Sequence, residues 1–235
     1  MYRPDSPLPP TSHLRISAIF VFNDPRDWAL DTQLLLDLLL SSKGILGTLS
    51  PRNNNPNLPN RGYQTDTQPT LYFSNPDLFW ASSHHLPRLG QGGFREAFEG
   101  VWDAVTGGKD RGVVLQKEMF GKPYRGTYEF AERRLEAHRL ALLNLLPNPS
   151  TPPKPTGTAG LERVYMIGDN PASDIQGAND YISPSGRRWH SILVRTGVFS
   201  GDGEPDVEPD AVVDDVGKAV EWALGEEGWE GKAVK

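Results

Sequence analysis

The sequence predicts an α/β protein built on a parallel sheet, and three observations carry that prediction. Residues 163–224 alternate short apolar runs with helical patterns, the order of strands joined by crossover helices. Within that stretch Val164 to Ile167 is a buried-strand run that stops on Gly168-Asp169 and gives way at once to helical spacing. Upstream, Phe94, Ala97, Phe98, Val101, Trp102 and Val105 fall on one face at helical spacing and are halted by Gly107-Gly108.

The elements follow in chain order. Ile16 to Phe22 reads as a strand, and Trp28 to Leu40 as an apolar helix capped by Asp27 and ended near Gly44. Arg52 to Thr67, rich in Asn and Pro, reads as a mobile loop. Leu71 to Ser74 is a second short strand, followed by a long loop holding Asn75-Pro76-Asp77 and His84-His85. After the helix with the Phe94 stripe, Val113 to Gln116 reads as a strand leading into Gly121-Lys122-Pro123. A helix from Tyr128 to Leu146 takes Thr127 as its N-cap, and the prolines from Pro147 to Pro155 forbid its continuation. The remaining elements are a strand at Arg163 to Ile167, a helix from Asp174 to Tyr181, a strand at Ser191 to Arg195, a strand at Ala211 to Val213 and a helix from Asp215 to Leu224.

Composition narrows the function classes. The 235 residues are 37% hydrophobic, enough to bury a sizeable core. A net charge of -6 argues against a nucleic-acid surface. The longest apolar stretches are interrupted well short of the ~20 residues a spanning helix needs, so no membrane span is expected. With no cysteine, disulfides, thiolate metal ligands and a thiol nucleophile are excluded. Met1 to Thr11 lacks both an apolar signal core and an Arg-rich amphipathic pattern. His84 and His85 alternate sides and have no carboxylate at metal-ligand spacing, while His138 and His190 read as a helix-surface and a strand-edge residue.

The most informative segment is Val164 to Asn179, which delivers two carboxylates, Asp169 and Asp174, into one turn before a helix. Mg²⁺ needs only one or two protein carboxylates and completes its shell with water and phosphate oxygens. The plain alternative is a turn with Asp174 as helix N-cap and Asp169 solvated. Lys122, in Gly121-Lys122-Pro123 upstream of this turn, is either a cation set to offset phosphate charge or a solvated turn lysine. The Gly90 to Gly93 loop, flanked by Arg88 and Arg95, is either an anion cradle or a tight turn, with Gly92 and Arg88 as candidate contacts. Asn75 and Asp77 either face substrate or perform ordinary turn chemistry.

These segments carry a resemblance. The Gly168 to Asp174 string resembles the fourth motif of the haloacid dehalogenase (HAD) superfamily of aspartyl phosphatases, and Gly121-Lys122-Pro123 resembles the third. Val21 to Trp28, Leu71 to Leu78, Arg88 to Phe94 and Ser191 to Gly197 resemble the subfamily IIA pattern, in its eukaryotic, largely mitochondrial group of cat eye syndrome critical region protein 5. The resemblance runs from about Ile16 to Leu224. It implies a HAD-like Rossmannoid parallel sheet and an α/β C2-type cap domain, both incomplete. The implied layout is a disordered segment at 1–11, a partial cap at 12–112, the later part of the core at 113–225 and a tail at 226–235.

The resemblance also implies a role for each site residue. Asp169 binds Mg²⁺ directly, Asp174 holds a metal-bound water or supports Lys122, and Lys122 neutralises the phosphate. The family's nucleophile is the first Asp of an Asp-x-Asp motif, and this chain has none; its nearest pair, Asp24 and Asp27, is misspaced by one residue. The expectation is a chain that begins part-way through the cap, resembles the C-terminal portion of a Mg²⁺-dependent phosphatase and is inactive alone. A small phosphorylated metabolite, a link to glycerophospholipid metabolism and a mitochondrial location follow from the family, with the cytoplasm as the alternative. The competing reading is a non-catalytic chain that binds a partner. In the family the Val164 to Ile167 strand lies beside the strand that is missing here, so self-association through that sheet edge is expected.

Overall fold

The computed structural model describes residues 14–145, 160–200 and 203–229. The segment expected at 1–11 and the proline loop from Pro147 to Pro155 lie outside them, as does the expected tail from residue 230 on. The chain forms two compact units, one comprising residues up to Phe79 with Leu89–Phe120, the other Trp80–Arg88 with the residues from Gly121 on. Both carry parallel sheets in a mixed α/β arrangement.

In the first unit, β1 (Ala18–Val21) is followed by α1 (Trp28–Leu40), whose Asp27 cap accepts the Leu30 N–H at 3.0 Å. Next come β2 (Thr70–Phe73), α2 (Gln91–Thr106) and β5 (Glu118–Met119); between β2 and α2 the chain forms the two-stranded pair β3 (Phe79–Trp80) and β4 (Arg88–Leu89), of which Trp80 and Arg88 belong to the second unit. The sheet order is β1-β2-β5, with Ala18 opposite Thr70 and Phe73 opposite Met119. Alternation along the strands turns Ile19, Val21, Leu71 and Phe73 toward Leu35, Leu36 and Leu39 of α1 and Phe94, Phe98 and Trp102 of α2. Phe20 and Tyr72 alternate away from that core, and Phe22, Phe20, Tyr72 and Phe120 stack in a row, with centroids 5.4, 4.8 and 5.9 Å apart. The helical stripe is narrower than its sequence pattern: Phe94, Phe98 and Trp102, four residues apart, are buried, while Val101 and Val105 are exposed.

Two expectations for this unit are corrected. Val113 to Gln116 is not a strand, because side-chain amides occupy its backbone. Asn60 accepts the Val114 N–H at 2.7 Å and donates to the Val114 carbonyl at 3.0 Å; Gln64 does the same for Gln116 at 2.7 and 2.8 Å. Arg52 to Thr67, expected to be mobile, is tied down by these bonds and by Asp66, which accepts from Ser50 and Ser42 at 2.8 and 3.1 Å. Hydrogen bonding from Ser50, outweighing the cost of burial, holds the Asp66 carboxyl below the ordinary aspartate range.

In the second unit, α3 (Arg125–Leu145) starts three residues before the expected Tyr128, with Thr127 inside it. β6 (Arg163–Gly168), α4 (Gln176–Asp180), β7 (Arg188–Val194), β8 (Ala211–Val213) and α5 (Val216–Glu226) follow. The parallel order is β6-β7-β8, so β6 stands at an edge of the described sheet. Met166 and Trp189 pack on Tyr128 of α3 and on Ala178 and Tyr181, while Tyr165 and Ile167 meet Ala219 and Trp222 of α5. Helices therefore cover both faces, as a parallel sheet requires. The α3 side is fastened by Glu132, 3% exposed, which accepts from Trp189 Nε1 at 2.9 Å and from Ser183 Oγ and Arg187 Nη1 at 3.0 Å each.

Candidate functional site

Asp169 stands where β6 ends. Gly168 lies opposite Leu193 in the parallel register, so the turn that follows β7 emerges beside Asp169. From that turn Val198 donates its N–H to Asp169 Oδ2 at 2.7 Å, and Phe199 donates to the Asp169 carbonyl at 2.9 Å. Asp169 is half-buried, and a methyl group at Gly197 would overlap its carboxylate.

Asp174 occupies a different position from the one its sequence context implied. The cap is Asn170, whose Oδ1 accepts the Ala172 N–H at 3.1 Å, and the helix is entered through a wide π-type turn over Pro171–Ile175. Asp174 lies inside that turn, 1% exposed. Its Oδ2 accepts the Asn170 N–H at 3.0 Å and its Oδ1 meets Lys122 Nζ at 2.5 Å. A methyl at Gly168 would overlap this carboxylate.

Lys122 reaches Asp174 from the turn before α3, where Gly121 takes φ +94° and the Tyr124 N–H donates to the Gly121 carbonyl at 3.0 Å. Tyr128, one turn into α3, donates its hydroxyl to the Ser173 carbonyl at 3.2 Å. Gly177 admits this arrangement, since a methyl there would overlap the Tyr128 hydroxyl and crowd Pro123. The fold thus gathers Lys122, Asp169 and Asp174 at the carboxyl end of β6.

The two carboxylates offer a metal different things. Asp169 offers a half-buried carboxylate at a strand end, whereas Asp174 is buried and bonded to Lys122. Among the described residues no group of three or more His, Cys, Asp or Glu side chains converges. No zinc-type cage is therefore formed within them, and Asp169 is the carboxylate left to meet an oxygen-binding cation such as Mg²⁺, which needs only one or two.

The weaker candidates are placed elsewhere. Asn75 Oδ1 accepts the Asp77 N–H at 2.9 Å within a turn, and the Asn75 N–H donates to Oε1 of Gln91, at the start of α2, at 2.9 Å. The N–H groups of Gly90, Gly92 and Gly93 donate to the carbonyls of Leu78, Asp77 and Gly90 at 2.8, 2.9 and 3.0 Å, so these donors are engaged inside the loop. Gly92 permits that closeness, because a methyl would overlap the Pro76 carbonyl. Arg88 lies exposed in β4. His190 is buried in the central strand β7, not at an edge, with Nδ1 3.5 Å from Asp210 Oδ2. Gly197 and Val198 drew no role from sequence; their one signal is a glycine just past the strand that neighbours Asp169.

Residues 119–219 match the model of the HAD-hydrolase-like family. The cardiolipin synthase (CMP-forming)/mitochondrial hydrolase fusion protein of Schizosaccharomyces pombe is 40% identical over 211 residues, covering 89% of this chain and 29% of that protein. Mitochondrial hydrolase YKR070W of Saccharomyces cerevisiae is 36% identical over 223 residues, covering 91% of this chain and 56% of that protein. The chain therefore spans about half or less of the length of these curated relatives. The crystal structure of hypothetical protein PH1952 from Pyrococcus horikoshii OT3 aligns over 72% of this chain and 51% of that one, with TM-score 0.39 and 18% identity.

Proposed function

We propose that this chain, which belongs to the haloacid dehalogenase-like hydrolases, contributes the metal- and phosphate-holding part of a Mg²⁺-dependent hydrolysis of a small phosphorylated metabolite. One observation carries the reading: the Lys122 ammonium is fixed 2.5 Å from a buried Asp174 at the strand end that presents Asp169. Mg²⁺, when bound, supplies neutralising charge to phosphate oxygens. Asp169 is the residue that would hold it. Asp174 acts through Lys122, since its oxygens meet that ammonium and the Asn170 N–H, and Lys122 in turn offsets phosphate charge without reorganising. No residue of this chain is proposed as nucleophile, because the sequence contains no Asp-x-Asp pair. The names of the two relatives support a mitochondrial setting, and the synthase fused to one of them supports a link to glycerophospholipids.

Calorimetry of Mg²⁺ binding tests the metal assignment: the chain should bind weakly, and Asp169→Ala should abolish the heat. Equal heats in both would overturn it. The chain alone should show no Mg²⁺-dependent hydrolysis of an aryl phosphate, and turnover abolished by Asp169→Asn would refute that.

The edge position of β6 favours a second reading, in which the chain works by pairing with another polypeptide. Light scattering over a concentration series should then reveal self-association. A strict monomer with strongly protected Tyr165 and Ile167 amides would eliminate this reading.

A further inference from the structure

The turn after β7 bears on Asp169 in three ways at once. Val198 N–H holds Oδ2 at 2.7 Å, Phe199 N–H holds the Asp169 carbonyl at 2.9 Å, and Gly197 lies so close that any side chain there would overlap the carboxylate. A carboxylate at a strand end has two side-chain torsions to fix before its free oxygen has a defined direction. Here one backbone group of the adjacent strand's turn, the Val198 N–H, holds one carboxylate oxygen, and Gly197 leaves room for it. We infer that Gly197 and Val198 are positioning residues that select the Asp169 rotamer and turn its Oδ1 toward the ligand. The inference rests on the reading of Asp169 as the metal-facing carboxylate.

The geometry makes the roles separable. Val198 binds the Asp169 side chain and Phe199 binds its backbone, so side-chain truncation removes one bond and spares the other. Asn at position 169 keeps an oxygen that can accept from Val198 but loses the negative charge.

Amide hydrogen exchange and Mg²⁺ calorimetry on the full chain test the inference together. Asp169→Ala should accelerate exchange at Val198 by about tenfold and leave Phe199 protected. Asp169→Asn should keep Val198 protected while Mg²⁺ binding is lost. Gly197→Ala should weaken Mg²⁺ binding by about tenfold or more, the usual effect of disturbing a group that orients a ligand. Val198 exchange unchanged by Asp169→Ala, or Mg²⁺ affinity unchanged by a folded Gly197→Ala, would overturn the clamp. If Gly197→Ala does not fold, the Val198 exchange in the two Asp169 variants decides. If Mg²⁺ binding is identical in the chain and in Asp169→Ala, the metal reading fails by itself, and the rotamer clamp stands or falls on the same exchange rates.

Discussion

Trp102→Ala is expected to destabilise the first unit by about 3–5 kcal/mol, the range for emptying a fully buried aromatic site. Trp102 is 0% exposed, sits at the end of the Phe94-Phe98-Trp102 row, and meets the Tyr63 ring edge-on at 5.8 Å. Its neighbours come from strands, helices and the 52–67 loop together, so the cavity cannot close by shifting one element. Phenylalanine should cost less. It keeps most of the contact, and it removes an indole N–H that finds no hydrogen-bond partner among the described residues. Denaturant unfolding of the three proteins checks the order; Trp102→Phe equal to or worse than Trp102→Ala would show that indole shape outweighs the unpaired donor.

Glu132→Ala is expected to cost the second unit about 3–5 kcal/mol, because breaking a buried ion pair from one side strands its partner. Removing the carboxylate leaves Trp189 Nε1 and Ser183 Oγ without their acceptor and leaves Arg187, 14% exposed, with Glu136 at 3.5 Å. Glutamine, which retains an acceptor, should lie between. Burial by itself would raise the Glu132 pKa, but hydrogen bonds from Trp189, Ser183 and Arg187 outweigh it and hold the carboxyl below its ordinary 4.5. The native state therefore binds fewer protons than the unfolded state near that pH. The stabilisation is complete above the unfolded value and is lost as pH falls through the native one. Acid unfolding of the natural chain should be steeper below pH 4.5 than that of Glu132→Gln, and superimposable acid limbs would refute this.

How far the sequence discloses this molecule depends on the range over which each signal acts. Asp27 as cap and Trp28–Leu40 as helix were readable because capping and helical spacing are local, and both match the structure. So was the strand at Val164 to Ile167, with two acidic residues beyond its end, although it runs one residue further to Gly168. The mistaken cap at Asp174 came from treating a helix start as regular, whereas Asn170-Pro171 opens a π-type turn that buries Asp174. The absent strand at Val113 to Gln116 was illegible because its backbone partners are side chains of Asn60 and Gln64, a pairing that alternation cannot reveal. Glu132 was missed for the same reason: Ser183, Arg187 and Trp189 lie 51, 55 and 57 residues downstream. Gly197 declares itself only once Asp169 is beside it in space.

The amide pairs of Asn60 and Gln64 also set an order of events during synthesis. Their partners lie 54 and 52 residues later in the chain, and β5 follows immediately after them. While a ribosome is still making α2, the 52–67 loop has no mate for these side chains and β2 lacks one of its two neighbours. The unit can close only when Gln116 to Met119 has emerged, so its folding waits on the last residues of its own segment. Such late, non-local closure is slow by comparison with helical hairpins of the same size. Until then Leu35, Leu36 and Leu39 of α1, buried in the finished unit, have no complete core to cover them.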